Sequence, residues 1–141
     1  MPAHHISIEK EYNKPLSEIF SAITDHENFG KLIGAKINRV KQGSDNHING
    51  LDSIRRINIG PLPSFEETVT GFIKDEYFEY KISKGSPIKN HIGKLVFSTS
   101  GEQTKLIYTI DFDMKLPLPL IGSIVKNTLE KQISKGLNKL K

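Results

Sequence analysis

Thr104-Lys-Leu-Ile-Tyr-Thr-Ile-Asp-Phe-Asp-Met114, followed through Leu116-Pro117-Leu118-Pro119 by a segment running to Lys141, is the stretch that decides the fold. In 104–114 the period is two: Leu106, Tyr108, Ile110, Phe112 and Met114 share one face, and Lys105, Thr109, Asp111 and Asp113 share the other. Ile107 is the one apolar exception on the polar face. After the prolines the period becomes helical. At ~100° per residue, Val125, Leu129, Ile133, Leu137 and Leu140 fall within about 120° of one another, with Lys131, Lys135 and Lys139 opposite. A strand with one apolar face and a helix with one apolar stripe bury each other. Leu120, Ile121 and Ile124 fall outside the stripe, so the first turn is apolar over a wider arc than one packed face needs. Gly136 sits on the apolar side, which leaves either a close backbone approach or room for a ligand.

Upstream, Ile6, Ile8 and Tyr12 alternate with Ser7, Glu9 and Glu11, which predicts a first strand over 4–12 interrupted on its apolar face by Lys10. Pro15 suits a first helical turn, and Leu16, Ile19, Phe20 and Ile23 carry helical spacing. Asp25 is a good N-cap for a second short helix ending near Gly30 or Gly34. From Ala35 the period is two again, with strands expected at 35–42, 50–59, 64–74, 76–83, 90–99 and 104–114. Turn clusters at Gly43-Ser44-Asp45-Asn46, Lys84-Gly85-Ser86-Pro87 and Ser100-Gly101-Glu102-Gln103 are short, so neighbours pair as antiparallel hairpins. The expected class is α+β, one domain over 1–141, without repeat or linker.

Bulk properties exclude several functions. The chain has no cysteine, so disulfides, thiolate catalysis and cysteine-ligated zinc are excluded together. A formal net charge of +4, from scattered lysines, falls short of a nucleic-acid-binding surface. The first residues have neither a basic nor an apolar signal region, which makes the cytoplasm the expected location. His4 and His5 are adjacent on a strand and point to opposite faces, His26 and His47 fall in a helix and a turn, and no His-Glu-x-x-His ligand set exists. Neither a metal nor a cofactor is expected. A Gly-x-Ser-x-Gly elbow and a phosphate-binding glycine loop are also absent.

Alternation also selects the interior. Besides the 104–114 set, the inward residues are Phe78, Tyr80 and Ile82, then His91, Gly93, Leu95 and Phe97, with Arg55 beside Ile57 and Ile59, and Glu67 beside Phe65 and Val69. Arg55, Glu67, Tyr80, His91 and Tyr108 are therefore polar groups in an apolar interior. A buried charge is costly unless paired, so Arg55 and Glu67 are expected to pair across adjacent strands. Two explanations stand open. Such groups serve only to satisfy one another, or they converge on a ligand.

Pro15-Leu-Ser-Glu-Ile-Phe-Ser-Ala-Ile-Thr-Asp25, Gly50-Leu-Asp-Ser-Ile-Arg-Arg56, Phe65-Glu-Glu-Thr-Val-Thr70, Tyr80 and the 104–117 strand ending in Leu-Pro resemble the START/polyketide cyclase (SRPBCC) superfamily, nearest its bacterial polyketide cyclase/dehydrase and lipid transport branch. The resemblance spans nearly the whole chain. It implies a helix-grip fold: a seven-stranded antiparallel sheet wrapped around the long C-terminal helix, with two short helices after the first strand. It further implies binding of a lipid, hormone, polyketide or other apolar molecule between sheet and helix, and Arg55, Glu67 and Tyr80 carry over as pocket residues.

The functional expectation is a container for a small or medium hydrophobic molecule or lipid, with possible transport. The apolar body is expected against Phe97, Tyr108, Ile110, Leu129 and Ile133, and the polar end at Arg55, Glu67, Tyr80 or His91. The alternatives are a cyclase, dehydratase or hydrolase in the same pocket, with His91 or Glu67 as general base and Arg55 or Tyr108 steadying an enolate oxygen, or a partner-binding module. Leu116, Leu118, Leu120 and Ile121, near Lys115 and Lys126, are read as the helix hinge and cavity rim rather than as a membrane-touching lip.

Overall fold

A computed structural model describes residues 2–44, 47–60, 62–115 and 119–141. The chain runs β1 (His4–Tyr12), α1 (Leu16–Thr24), α2 (His26–Ile33), β2 (Lys36–Lys41), β3 (Ile54–Asn58), β4 (Phe65–Ile73), β5 (Tyr77–Lys84), β6 (Ile88–Ser100), β7 (Gln103–Met114) and α3 (Pro119–Asn138). The seven strands form one antiparallel sheet in the order β1-β7-β6-β5-β4-β3-β2. Every hairpin from β2 to β7 pairs in sequence order, while β1 returns to pair with β7. The α1–α2 pair bridges the two edge strands, and α3 packs on β1 and α2.

Local chemistry sets these boundaries. Pro15 is the residue before the first turn of α1, not within it, and its carbonyl accepts from Ile19 N–H at 3.2 Å. Asp25 caps α2 by accepting from Asn28 N–H at 3.0 Å, and Gly34 ends it in the left-handed region at φ 72°. Where a strand was expected from Gly50, a turn occupies 50–53 and β3 begins at Ile54. Asp52 stands there at φ 69°. α3 closes at Asn138, three residues short of the expected end.

Two bulges bend the sheet and change its inward phase. In β6, Lys89 pairs with Asp113 and Ile92 with Asp111, so two residues oppose one, and Asn90 takes φ 52°. Ile88 and His91 consequently both face inward, whereas strict alternation back from His91 would have turned Lys89 in. In β4 the irregularity between Val69 and Gly71 likewise turns Phe72 inward, its ring 5.5 Å from Phe20 and 6.1 Å from Phe78. Ile73 is left 54% exposed.

Along α3, Val125, Ile133 and Leu137 are buried, with Leu129 and Leu140 partly so. Tyr12 donates its hydroxyl to Leu137 O at 3.0 Å, and Lys10 donates to Ser134 Oγ at 2.8 Å, tying the helix to β1. Leu116 and Leu118 lie outside the described residues. Contrary to a packed rim, Leu120, Ile121 and Ile124 are 80%, 45% and 64% exposed. No helix among the described residues is long and apolar enough to cross a membrane.

Gly136 resolves in favour of close approach. A Cβ there would meet Leu32 O at 2.6 Å and Ile33 Cα at 2.9 Å, both backbone atoms of or beside α2. Alanine gains ~1 kcal/mol of helix propensity over glycine. Gly136→Ala is nonetheless expected to destabilise the fold by about 1–3 kcal/mol, since overpacking against backbone outweighs that gain. A urea midpoint at or above wild type would show that α3 and α2 do not meet this closely.

Candidate functional site

The interior polar groups come from five consecutive neighbours in the sheet. Arg55 of β3 pairs directly with Glu67 of β4 in register, and both side chains point inward. Arg55 Nε donates to Glu67 Oε1 at 2.9 Å, and Nη2 stands 2.8 Å from the same oxygen. The guanidinium is 1% exposed and lies 4.6 Å from the Tyr80 ring centroid, 5.4 Å from Phe29 and 5.8 Å from Phe78. Its third nitrogen, Nη1, has no hydrogen-bond partner among the described residues.

Tyr80 of β5 is positioned by a glycine. It pairs with Gly93 of β6, and a Cβ at Gly93 would overlap the Tyr80 ring, its hydroxyl oxygen only 2.7 Å away. The missing side chain lets Tyr80 lie across β6 and hydrogen-bond with the Tyr108 hydroxyl of β7. His91, on the bulge of β6, accepts at Nδ1 from Ile82 N–H at 3.1 Å. With Nδ1 occupied as acceptor, the neutral ring carries its hydrogen on Nε2, 3.8 Å from Glu67 Oε2.

Protonation follows from this packing. Burial lowers the His91 pKa to about 3, with Arg55 adding to the effect. Burial is the largest single influence on Arg55 and opposes its charge, but Glu67 together with Tyr80 and Tyr108 holds the guanidinium above its ordinary value. Burial pushes the Glu67 carboxyl up while Arg55 works in the other direction. Burial raises both tyrosines, so both hydroxyls stay protonated at neutral pH. His91 thus presents a donor, not the base that an acid–base role for it required.

These groups meet in one cavity of about 40 Å³ between the sheet, α2 and α3. Arg55, Glu67, Tyr80, His91, Tyr108, Ile110, Leu129 and Ile133 all line it. Phe97 does not: it faces inward as alternation requires, but it is packed against Phe20 of α1 with ring centroids 5.0 Å apart, away from the polar groups. Strand periodicity states which face a residue takes, not how far along the strand a cavity reaches. Sequence reasoning also missed Phe29 and Ile33, Leu62 and Ile88. The i, i+4 spacing of Phe29 and Ile33 on α2 was a usable signal. Ile88 needed the bulge at Asn90, which alternation does not reveal.

Beside the cavity an apolar groove of about 70 Å³ opens between the β3–β4 connection and α3. It shares Ile59, Leu62 and Leu129 with the cavity, so these three side chains form the wall between interior and surface. The inner space alone is below the ~150 Å³ that holds a benzene in a dry protein cavity. A molecule of that size fits only if part of this lining gives way.

A second polar cluster lies under α2. His26 is fully buried, its Nε2 2.9 Å from Ser53 Oγ, and its Nδ1 unpartnered among the described residues. Burial lowers its pKa to about 2, with Arg55, Arg39 and His47 adding to the effect. Among the described residues no three His, Asp or Glu side chains stand together as a metal site.

The chain that folds into this curved seven-stranded sheet around a C-terminal helix also matches a family at the level of sequence. A family model described as polyketide cyclase/dehydrase and lipid transport covers residues 3–141. The chain belongs to that family. Among solved structures, TTHA0849 from Thermus thermophilus superposes with a TM-score of 0.77 at 14% identity, covering 97% of this chain and 94% of that one. A START superfamily protein from Mycobacterium smegmatis gives 0.76 at 17% identity, covering 99% and 100%. The ZhuI aromatase/cyclase from Streptomyces gives 0.76 at 12%, covering 97% and 93%. At these identities the polyketide cyclase/dehydrase and lipid transport fold is what is shared. None of the curated proteins matches the sequence.

Both buried histidines make the fold acid-sensitive in a defined window. Their folded pKa values, about 2 and about 3, lie below the unfolded value near 6.5, so only the unfolded chain takes up these protons as pH falls. Stability should fall by about 1.4 kcal/mol per pH unit per histidine below ~6.5, flattening towards pH 3 for His91. Urea unfolding of the wild type and of His91→Gln between neutral pH and the acid limit checks this. The variant should lose one histidine's share of the slope; an unchanged slope would mean that His91 titrates normally when folded.

Proposed function

We propose that this protein binds a small or medium apolar molecule bearing a hydrogen-bond acceptor, in the cavity between its sheet and α3. The observation that carries this is Arg55 Nη1: a buried guanidinium nitrogen, with no partner among the described residues, on a side chain lining an otherwise apolar cavity. An orphaned charged donor is costly, and the ring faces around it satisfy it only in part. A ligand acceptor completes it. Ile110, Leu129 and Ile133, with Phe29 and Ile33, would hold the apolar body.

Binding and carriage are placed ahead of turnover for a chemical reason. Of the cavity-lining groups, His91 has spent its basic nitrogen on Ile82 N–H and the tyrosines stay protonated, so Glu67 alone remains as a base, and it is committed to Arg55. The family description includes both lipid transport and cyclase/dehydrase chemistry, and a lipid cargo is the larger-ligand version of this proposal.

Native mass spectrometry of protein purified from its own host should show a stoichiometric passenger, identified after extraction as apolar with an oxygen acceptor. Arg55→Lys keeps the charge but loses the fork, and should weaken rebinding of that molecule about 10- to 100-fold, the worth of a hydrogen bond to a charged group. Circular dichroism controls for folding. Undiminished affinity in a folded Arg55→Lys protein would remove Arg55 from the site.

A further inference from the structure

Three hydrogen-bond donors face the cavity against one open carboxylate oxygen, Glu67 Oε2, yet the cavity holds no spare positive charge. On the donor side, Arg55 Nη1 is unpartnered among the described residues. His91 Nε2 carries a hydrogen and stands 3.8 Å from Glu67 Oε2, beyond hydrogen-bond range. Tyr80 and Tyr108 share one hydrogen bond between two hydroxyls, which leaves one O–H for another partner.

The charge count is taken from every element around these donors. β3 supplies Arg55, β4 Glu67, β5 Tyr80, β6 His91 and β7 Tyr108. α2 adds Phe29 and Ile33, and α3 adds Leu129 and Ile133, all apolar. Among the described residues, His26 at the start of α2 is a further titratable group that acts electrostatically with Arg55. His26 and His91 both stay neutral well below neutral pH, and both tyrosines stay protonated. Two Arg55 nitrogens held within 2.9 Å of one Glu67 oxygen make a guanidinium–carboxylate pair, so the surround sums to zero.

Donors without net charge suit a neutral acceptor. A carbonyl oxygen accepts from Nη1 and the free hydroxyl without bringing a charge of its own. A carboxylate satisfies the same donors but becomes an uncompensated buried anion, the costly case for any interior group. Resting on the proposed binding function, we infer that this cavity selects a neutral carbonyl compound (ketone, ester or amide) over a carboxylate of the same shape. A carboxylate would bind only with uptake of one proton, carried by the ligand itself or by Glu67.

Three probes of nearly one shape separate the possibilities: acetophenone, benzoate and ethylbenzene. They are titrated by NMR against the wild type, and against Leu129→Ala so that a closed wall is not mistaken for missing chemistry. Acetophenone should bind with an affinity nearly independent of pH between about 5.5 and 7.5, since a neutral ligand brings no charge that a proton must offset. Benzoate should weaken about tenfold per pH unit over that range and fall at least tenfold behind acetophenone at its upper end. Ethylbenzene should bind about tenfold or more weakly than acetophenone. Glu67→Gln leaves Arg55 uncompensated, and in a folded variant the preference should invert towards benzoate with its pH dependence lost. Benzoate binding as tightly as acetophenone without pH dependence would overturn the inference while leaving the binding function standing. Acetophenone no tighter than ethylbenzene removes the acceptor from both. Failure of all three in both proteins removes the binding function and the inference with it.

Discussion

The ion pair between Arg55 and Glu67 is the constraint on which the interior depends. A guanidinium 1% exposed cannot remain charged in an apolar layer without a partner, and breaking such a pair on one side costs about 3–5 kcal/mol. The two residues face each other in the β3–β4 register, so the pair also marks the correct alignment of those strands. A slip of one residue would turn both outward and bring Arg56 and Glu66 in; these now pair at 2.9 Å on the exposed side. Once the charge is in place it governs its neighbours. It helps to keep His26 and His91 neutral, and it draws the faces of Phe29, Phe78 and Tyr80 around it.

Curvature is the second requirement, because a flat sheet does not enclose a helix. The bulges at Asn90 in β6 and between Val69 and Gly71 in β4 supply local bends, and each re-aims one apolar side chain inward, Ile88 and Phe72 respectively. Glycine is used where two elements must touch. Gly93 lets Tyr80 lie flat across its neighbour strand, and Gly136 lets α3 meet the end of α2 backbone to backbone. What remains open is narrow. The cavity and the surface groove are separated by the side chains of Ile59, Leu62 and Leu129.

A fold shared with an aromatase/cyclase and a START protein at 12% and 17% identity does not by itself decide between carriage and catalysis. The arrangement of protons bears on that choice. Every titratable side chain around the cavity other than Glu67 is held in a donor state, by burial or by a backbone partner. Under the proposed reading such a site holds an acceptor in place, with Glu67, already paired to Arg55, the one group left that could remove a proton.

Much of this was legible in the residues. The Leu106-to-Met114 alternation and the stripe from Val125 to Leu140 identified the two layers, because period two and period 3.6 each leave one apolar face that must be covered. The same periodicity turned Arg55 and Glu67 inward, and electrostatics then required them to pair. The inward placement of Ile88 and Phe72 was not legible, since a bulge inserts one residue and reverses the phase beyond it. Nor was the separation of Phe97 from the polar cluster, because facing inward says nothing of position along a curved sheet. Periodicity is a local property and determined which side chains are interior. Where the interior stays open depends on bulges, on the approach of α3 to α2 and on the Leu62–Leu129 wall, which arise only when distant segments pack together.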